Sequence, residues 1–100
     1  MVSVKEVVAA LSKCVDPEMG SDIVNLGLIY NIRIDGDSGR DVKVTLTMTS
    51  PMCPVISIIL ADVQLRLEAI QNIGKVDIDL VWDPLWNPEM MSDDLKYASA

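Results

Sequence analysis

The chain has 100 residues, half of them hydrophobic, with fifteen acids against eight bases for a formal charge of −7. That length holds one domain, residues 1–100, whose core must come from Val, Ile, Leu and Met, because only four residues are aromatic and none is Phe. The negative charge argues against nucleic-acid binding, the lack of histidine removes Cys-His, Ser-His and His-zinc designs, and no apolar run is long enough to span a membrane.

The two cysteines, Cys14 and Cys53, form no CxxC pair, and Met1–Glu6 lacks the pattern of a secretion signal. Reduced thiols and a cytoplasmic location follow as expectations. A domain of this size buries a modest share of its surface, which leaves room for a homodimer.

Residues 3–13 read as a helix, with Ser3 as N-cap and Glu6 at the capping-box spacing. Val4, Val7, Val8 and Leu11 form its apolar stripe. Asp16-Pro17-Glu18-Met19-Gly20 is turn chemistry. A strand follows from Leu28 to Ile34, with Leu28, Tyr30, Ile32 and Ile34 on one face and Ile29, Asn31 and Arg33 on the other. Asp35–Gly39 reads as a hairpin loop. Residues 41–48 alternate, with Val42, Val44, Leu46 and Met48 inward and Lys43, Thr45 and Thr47 outward.

After the loop Thr49–Cys53, Pro54 suits the first position of a helix running to about Ile70. Its core face is Ile56, Ile59, Leu60, Val63, Leu67 and Ile70, and Asn72 and Gly74 suit its end. Residues 75–82 alternate as a third strand, 83–91 are kept irregular by two prolines, and Ser92 begins a short helix to Tyr97. The order is α-β-β-α-β. A right-handed crossover sets the third strand parallel to the second, giving an α/β (α+β) two-layer domain. Its mixed three-stranded sheet carries the helices on one face.

Cys53 is the foremost candidate for chemistry. It stands at a helix start, where the dipole and unpaired N–H groups favour a thiolate, the form that attacks or ligates. A small apolar residue under a loop is the alternative. Cys14 ends a helix, where a thiolate is disfavoured, and reads as structural. Asp16 and Glu18 are paired carboxylates suited to acid–base work or a cation, or simply a solvated turn. Trp82, Trp86, Met90 and Met91 form either a lid folded over the sheet or a partner-binding platform. The hairpin returns the chain to the edge it left, so the Glu18 and Cys53 loops should converge on one rim.

Four stretches together resemble the SufT/PaaD-like iron–sulfur cluster assembly accessory family, a domain also found in Mrp-like P-loop ATPases. They are Asp16-Pro17-Glu18; Ile23-Val24-Asn25-Leu26-Gly27-Leu28-Ile29-Tyr30; Thr49-Ser50-Pro51-Met52-Cys53-Pro54; and Trp82-Asp83-Pro84-Leu85-Trp86-Asn87-Pro88-Glu89-Met90-Met91-Ser92. They span about residues 4–96, and their order is more specific than any one of them. Met52 and Leu85 depart from the small residue and the second proline common there.

The resemblance implies a functional Cys53 with Thr49 and Glu18 beside it. It also implies an accessory role in cluster assembly or metalloprotein maturation, non-enzymatic, as adaptor or transient carrier. One thiol cannot satisfy a cluster that needs about four ligands, so no stably bound cofactor is expected. At most Cys53 lends one ligand to a transient iron–sulfur cluster. The implied partners are assembly proteins, a P-loop ATPase carrier or client apo-proteins. A thiol enzyme using Cys53 as nucleophile and a plain interaction module without thiol chemistry are the alternatives.

Overall fold

Alternating apolar residues turn into strands where they can share hydrogen bonds, and here the best alternation lies in the middle of the sheet. The computed structural model describes residues 2–36, 39–49 and 55–92. Its elements are α1 (Val4–Leu11), β1 (Val15–Asp16), β2 (Ser21–Asp22), β3 (Ile29–Asp35), β4 (Asp41–Leu46), α2 (Ile56–Glu68), β5 (Val76–Leu80) and a short 3-10 turn, Pro88–Met90. The sheet order is β3-β4-β5. Strand β3 runs antiparallel to β4, and β5 runs parallel to it, with Val42 opposite Val76 and Leu46 opposite Leu80. The mixed sheet and the two helices are those expected. Helix α2 begins at Ile56 with Val55 as its N-cap, two residues later than the start expected at Pro54, so Cys53 stands two positions before the cap rather than in the first turn. Pro54 itself, the residues after Ser92 in the expected final helix and part of the 35–39 loop lie outside the described residues.

Helix α1 starts at the expected cap. Ser3 Oγ accepts from Glu6 N at 3.1 Å, and Glu6 Oε1 accepts from Ser3 N at 3.1 Å, so two orphan N–H groups are satisfied at once. The helix ends at Leu11, and the Ser12 hydroxyl turns back to Ala9 O at 2.8 Å. Val7 and Leu11 are buried, whereas Val4, in the first turn, is 52 % exposed. Helix α2 buries Ile59, Val63 and Leu67 against Val42, Val44 and Leu46 of β4 and their neighbours. Truncating one of these leucines to alanine costs about 2–5 kcal/mol, transfer and cavity terms combined.

Three features differ from the pattern read in the sequence. The segment 14–22, expected as a plain turn, closes with a two-residue ladder, Val15 opposite Asp22 and Asp16 opposite Ser21. Strand β3 carries a bulge between Ile29 and Asn31, so one residue of β4 faces two of β3. The extra residue shifts the phase by one. Ile29 joins Ile32 and Ile34 on the core side, and Tyr30 turns its hydroxyl to the tail, donating to Pro84 O at 2.7 Å. Thr47, expected to face out, is fully buried, because β4 ends at Leu46 and the alternation stops with it.

The tail folds back over the 23–30 segment. Trp86 Nε1 donates to Leu26 O at 2.6 Å, Ser92 N to Asn25 O at 2.7 Å, and Tyr30 Oη also approaches Met90 Sδ at 3.5 Å. Gly27, at φ +77°, lets the Met90 backbone settle directly against it; a Cβ there would overlap the Met90 carbonyl. Gly27→Ala combines a left-handed alanine, costing about 1–2 kcal/mol, with that overlap. The expected outcome is a stability loss of at least about 1–2 kcal/mol by urea unfolding and a red-shifted tryptophan emission as Trp86 leaves Leu26. An unchanged emission maximum would show that the tail does not depend on this contact.

Candidate functional site

The site is built from the turn upward. Asp16 leaves β1 with its side chain inward, 1 % exposed, and its Oδ1 accepts from Glu18 N at 2.9 Å. Gly20 N closes on Asp16 O at 2.7 Å, which folds Pro17, Glu18 and Met19 into an exposed turn. Asp22 then organises the following turn, its Oδ2 accepting from Val24 N at 3.1 Å and Asn25 N at 3.0 Å. The two carboxylates thus hold backbone, one on each side of the small hairpin.

A chain of main-chain bonds carries this turn to the end of the central strand. Ile23 N donates to Cys14 O at 3.0 Å, Leu28 N to Ile23 O at 3.1 Å, and Thr47 N to Leu28 O at 2.9 Å. Thr47 and the half-buried Thr49 lead out of β4 toward Cys53. Val15 and Pro17 line a groove with Ser57 and Ile58 of α2, the helix that follows Cys53 in the sequence. The Asp16–Glu18 turn is therefore tied to both described flanks of the Cys53 loop. Cys53 itself, with Ser50 to Pro54, lies outside the described residues. The expected convergence of the Glu18 and Cys53 loops on one rim therefore falls on residues outside the described set.

Among the described residues, two buried oxygens of this region, Asp16 Oδ2 and Thr47 Oγ1, have no hydrogen-bond partner. Left without a partner, a buried polar group of this kind costs about 1–3 kcal/mol. Thr47 was not singled out in the sequence. The one signal for it is its place at the first position past the last paired residue of β4, where a period-2 pattern no longer applies. Among the described residues no group of three or more His, Cys, Asp or Glu side chains could hold a metal ion.

Cys14 is fully buried, with its Sγ 3.9 Å from Ala10 O. Burial first, and the negative charge of Asp62 second, push its thiol up to about 11, with Arg66 pulling the other way. A thiol held protonated in this way is neither nucleophile nor ligand. Trp82, Trp86, Met90 and Met91 are each half-buried, and Leu85 between the tryptophans is 67 % exposed. Tail residues thus cover the 23–30 segment while leaving an apolar edge outside. Burial first, then the charge of Asp83, raises the Tyr30 phenol, which keeps it a donor to the tail.

Residues 5–80 match the sequence profile of a family described as iron–sulfur cluster assembly protein. The chain is 42% identical over 84 residues to the Fe-S protein maturation auxiliary factor SufT of Staphylococcus aureus, covering 84% of this chain and 93% of that one. A conserved hypothetical protein of Thermotoga maritima has a similar solved structure, with a TM-score of 0.85 and 41% identity over 99% of this chain and 95% of that one. The Fe-S cluster assembly factor HCF101, chloroplastic, of Arabidopsis thaliana is 32% identical over 82% of this chain, a match that takes up 15% of its own length.

The Cys14 environment sets a pH dependence. Its folded value, about 11, lies above the ordinary 9.0, so the folded state holds this proton more tightly. The resulting stability is fully present below about pH 9 and is lost as pH rises toward about 11. Urea unfolding across that window should show a decline of up to about 1.4 kcal/mol per pH unit from this one group. Cys14→Ala should be less stable at pH 8 yet lack that part of the slope. Parallel profiles for the two proteins would show that the thiol is not the titrating group.

Proposed function

The chain belongs to the iron–sulfur cluster assembly protein family, and we propose that it serves that pathway as an accessory maturation factor, an adaptor or transient carrier acting through Cys53. The observation that carries this reading is the bond chain from Cys14 through Ile23 and Leu28 to Thr47, which ties the Asp16–Glu18 turn to the strand leading into the Cys53 loop. Of the two thiols in the sequence, Cys14 is buried and held protonated, and the reactive role falls to Cys53. Asp16, Glu18 and Thr49 are its supporting residues. Asp16 holds the turn in shape, and Glu18, on the exposed side, is placed to meet a partner.

The chemistry favours handing over or docking rather than storage. A cluster needs about four protein ligands, and one thiolate with no histidine in the chain supplies one. Cluster contact is therefore brief and completed by thiols from elsewhere, and the protein itself is not an enzyme. The partners of this reading are assembly proteins, a P-loop ATPase carrier and client apo-proteins in the cytoplasm. The match to a small part of the larger HCF101 supports a working position beside larger assembly factors. Trp82, Trp86, Met90 and Met91, with the exposed Leu85, offer the apolar edge such a partner would contact.

Cys53→Ala separates the thiol from the scaffold. Expressed in a cell that lacks the native protein, it should fail to restore iron–sulfur enzyme activity, while losing no more than about 1–2 kcal/mol of stability. Anaerobic reconstitution of the wild type with iron and sulfide should leave the monomer without a stoichiometric cluster absorption. Full rescue by the variant would instead identify a plain interaction module, and a monomer with a stable cluster would overturn the transient role.

A further inference from the structure

The two edges of the three-stranded sheet are not alike. Strand β3 has a bulge between Ile29 and Asn31, and the tail lies beside it through the bond from Tyr30 to Pro84. Bulges and covering segments are ordinary ways of blunting an edge. Strand β5 forms the other edge, and its register against β4 runs unbroken from Val76 to Leu80. Val42 N donates to Lys75 O at one end of this ladder and Val81 N to Leu46 O at the other, each at 2.8 Å. Bonding residues alternate along a strand, so Asp77 and Asp79 also turn their main chain toward β4. The N–H and C=O groups of Val76, Ile78 and Leu80 therefore point away from the sheet, where no described strand pairs with them.

The side chains along β5 sort by face. Val76, Ile78 and Leu80 are half-buried and pack against the core, whereas Lys75, Asp77 and Asp79 are exposed on the uncovered face. On that face Lys43 stands opposite Asp77 and Thr45 opposite Asp79. Asp79 thus has no base across the strand, and Asp77 has one on the β4 side alone. Among the described residues neither carboxylate is in an ion pair, and Arg33 of the same face is taken by Asp35 at 2.7 Å.

We infer that this edge takes up an extended segment of a partner protein as a further antiparallel strand, one with basic residues at two alternate positions. The free main chain of β5 selects a strand, and its side-chain row selects which strand. An antiparallel segment centred on Ile78 bonds to Val76, Ile78 and Leu80 and sets alternate side chains opposite Asp79, Asp77 and Lys75 in turn. The complementary segment reads apolar, basic, apolar, basic, apolar, acidic. A chain of net charge −7 draws in such a segment. A second copy does not fit, because β5 against β5 about Ile78 sets Asp77 opposite Asp79 twice, and like charges directly opposite destabilise a pair. Residues 93–100 of this chain fit no better, with Lys96 their one base against Asp93 and Asp94. The inference stands apart from the accessory-factor reading, because it needs no thiol and its failure leaves the role of Cys53 untouched.

Amide hydrogen exchange of the full chain, followed by NMR, tests it with a synthetic peptide containing VKIKVE. At about 1 mM peptide, exchange should slow at Val76, Ile78 and Leu80. Asp77 and Asp79, whose amides already face β4, serve as the reference and should change little. The same peptide N-methylated at its isoleucine should lose the effect. The charge-swapped peptide VEIEVK should bind at least about tenfold more weakly, and the D77K/D79K variant should reverse that preference. Both positions are exposed, so an unchanged circular dichroism spectrum is expected, and the peptide comparisons on the wild type stand without the variant. Absence of protection by VKIKVE overturns the proposal, as does protection indifferent to N-methylation or to the charge swap. Protection of the same three amides that rises with protein concentration alone would assign the edge to a second copy and likewise overturn it.

Discussion

Strand β4 is hydrogen-bonded on both sides, antiparallel to β3 and parallel to β5, and the rest of the molecule answers to that double pairing. A parallel neighbour cannot be reached by a tight turn, so the chain must cross over the sheet between Leu46 and Val76. Helix α2 is that crossover. Its placement covers one face of the sheet and buries Val42, Val44 and Leu46. In the sequence, the stretch holding Cys53 lies between the end of β4 at Leu46 and the cap of that helix at Val55.

The segments around the Asp16–Glu18 turn are then fastened to the end of β4. The fastening is by backbone: Thr47 to Leu28, Leu28 to Ile23, Ile23 to Cys14. Main-chain bonds of this kind constrain position without demanding particular side chains, which frees Asp16 and Asp22 to shape the two turns. The tail fastens to the same segment through Leu26, Asn25 and Gly27. The 23–30 stretch is thus a junction held on one side by the hairpin and the central strand, and on the other by the tail.

The outer surface divides by charge. The uncovered face of the sheet presents Arg33, Lys43, Asp77 and Asp79, a polar surface typical of an exposed antiparallel edge region. The helix layer is different, with an apolar strip on α2 and a neutral ion pair beside it. Surface pairs of that kind contribute little to stability, about 0–1 kcal/mol, and here Asp62 and Arg66 also act on the Cys14 thiol at the end of α1.

The local rules carried much of the architecture. The capping box at Ser3, the strict alternation of Val42, Val44 and Leu46 and the spacing of Ile59, Val63 and Leu67 each encode one element in neighbouring residues, and each is legible without the fold. The carboxylate turn at Asp16 and the strand leading toward Cys53 were legible for the same reason. What only the tertiary structure decided depends on segments far apart in sequence. The bulge that turns Tyr30 from core to tail arises from its register against β4 and its bond to Pro84. Thr47 is buried because β4 ends at Leu46 and the chain beyond it, bonded through Thr47 N to Leu28 O, leaves the strand's alternation. Cys14 is held protonated by burial and by Asp62, a residue of α2. A one-dimensional pattern reports what each side chain prefers, whereas burial, register and electrostatic surroundings are properties of the pairings that folding creates.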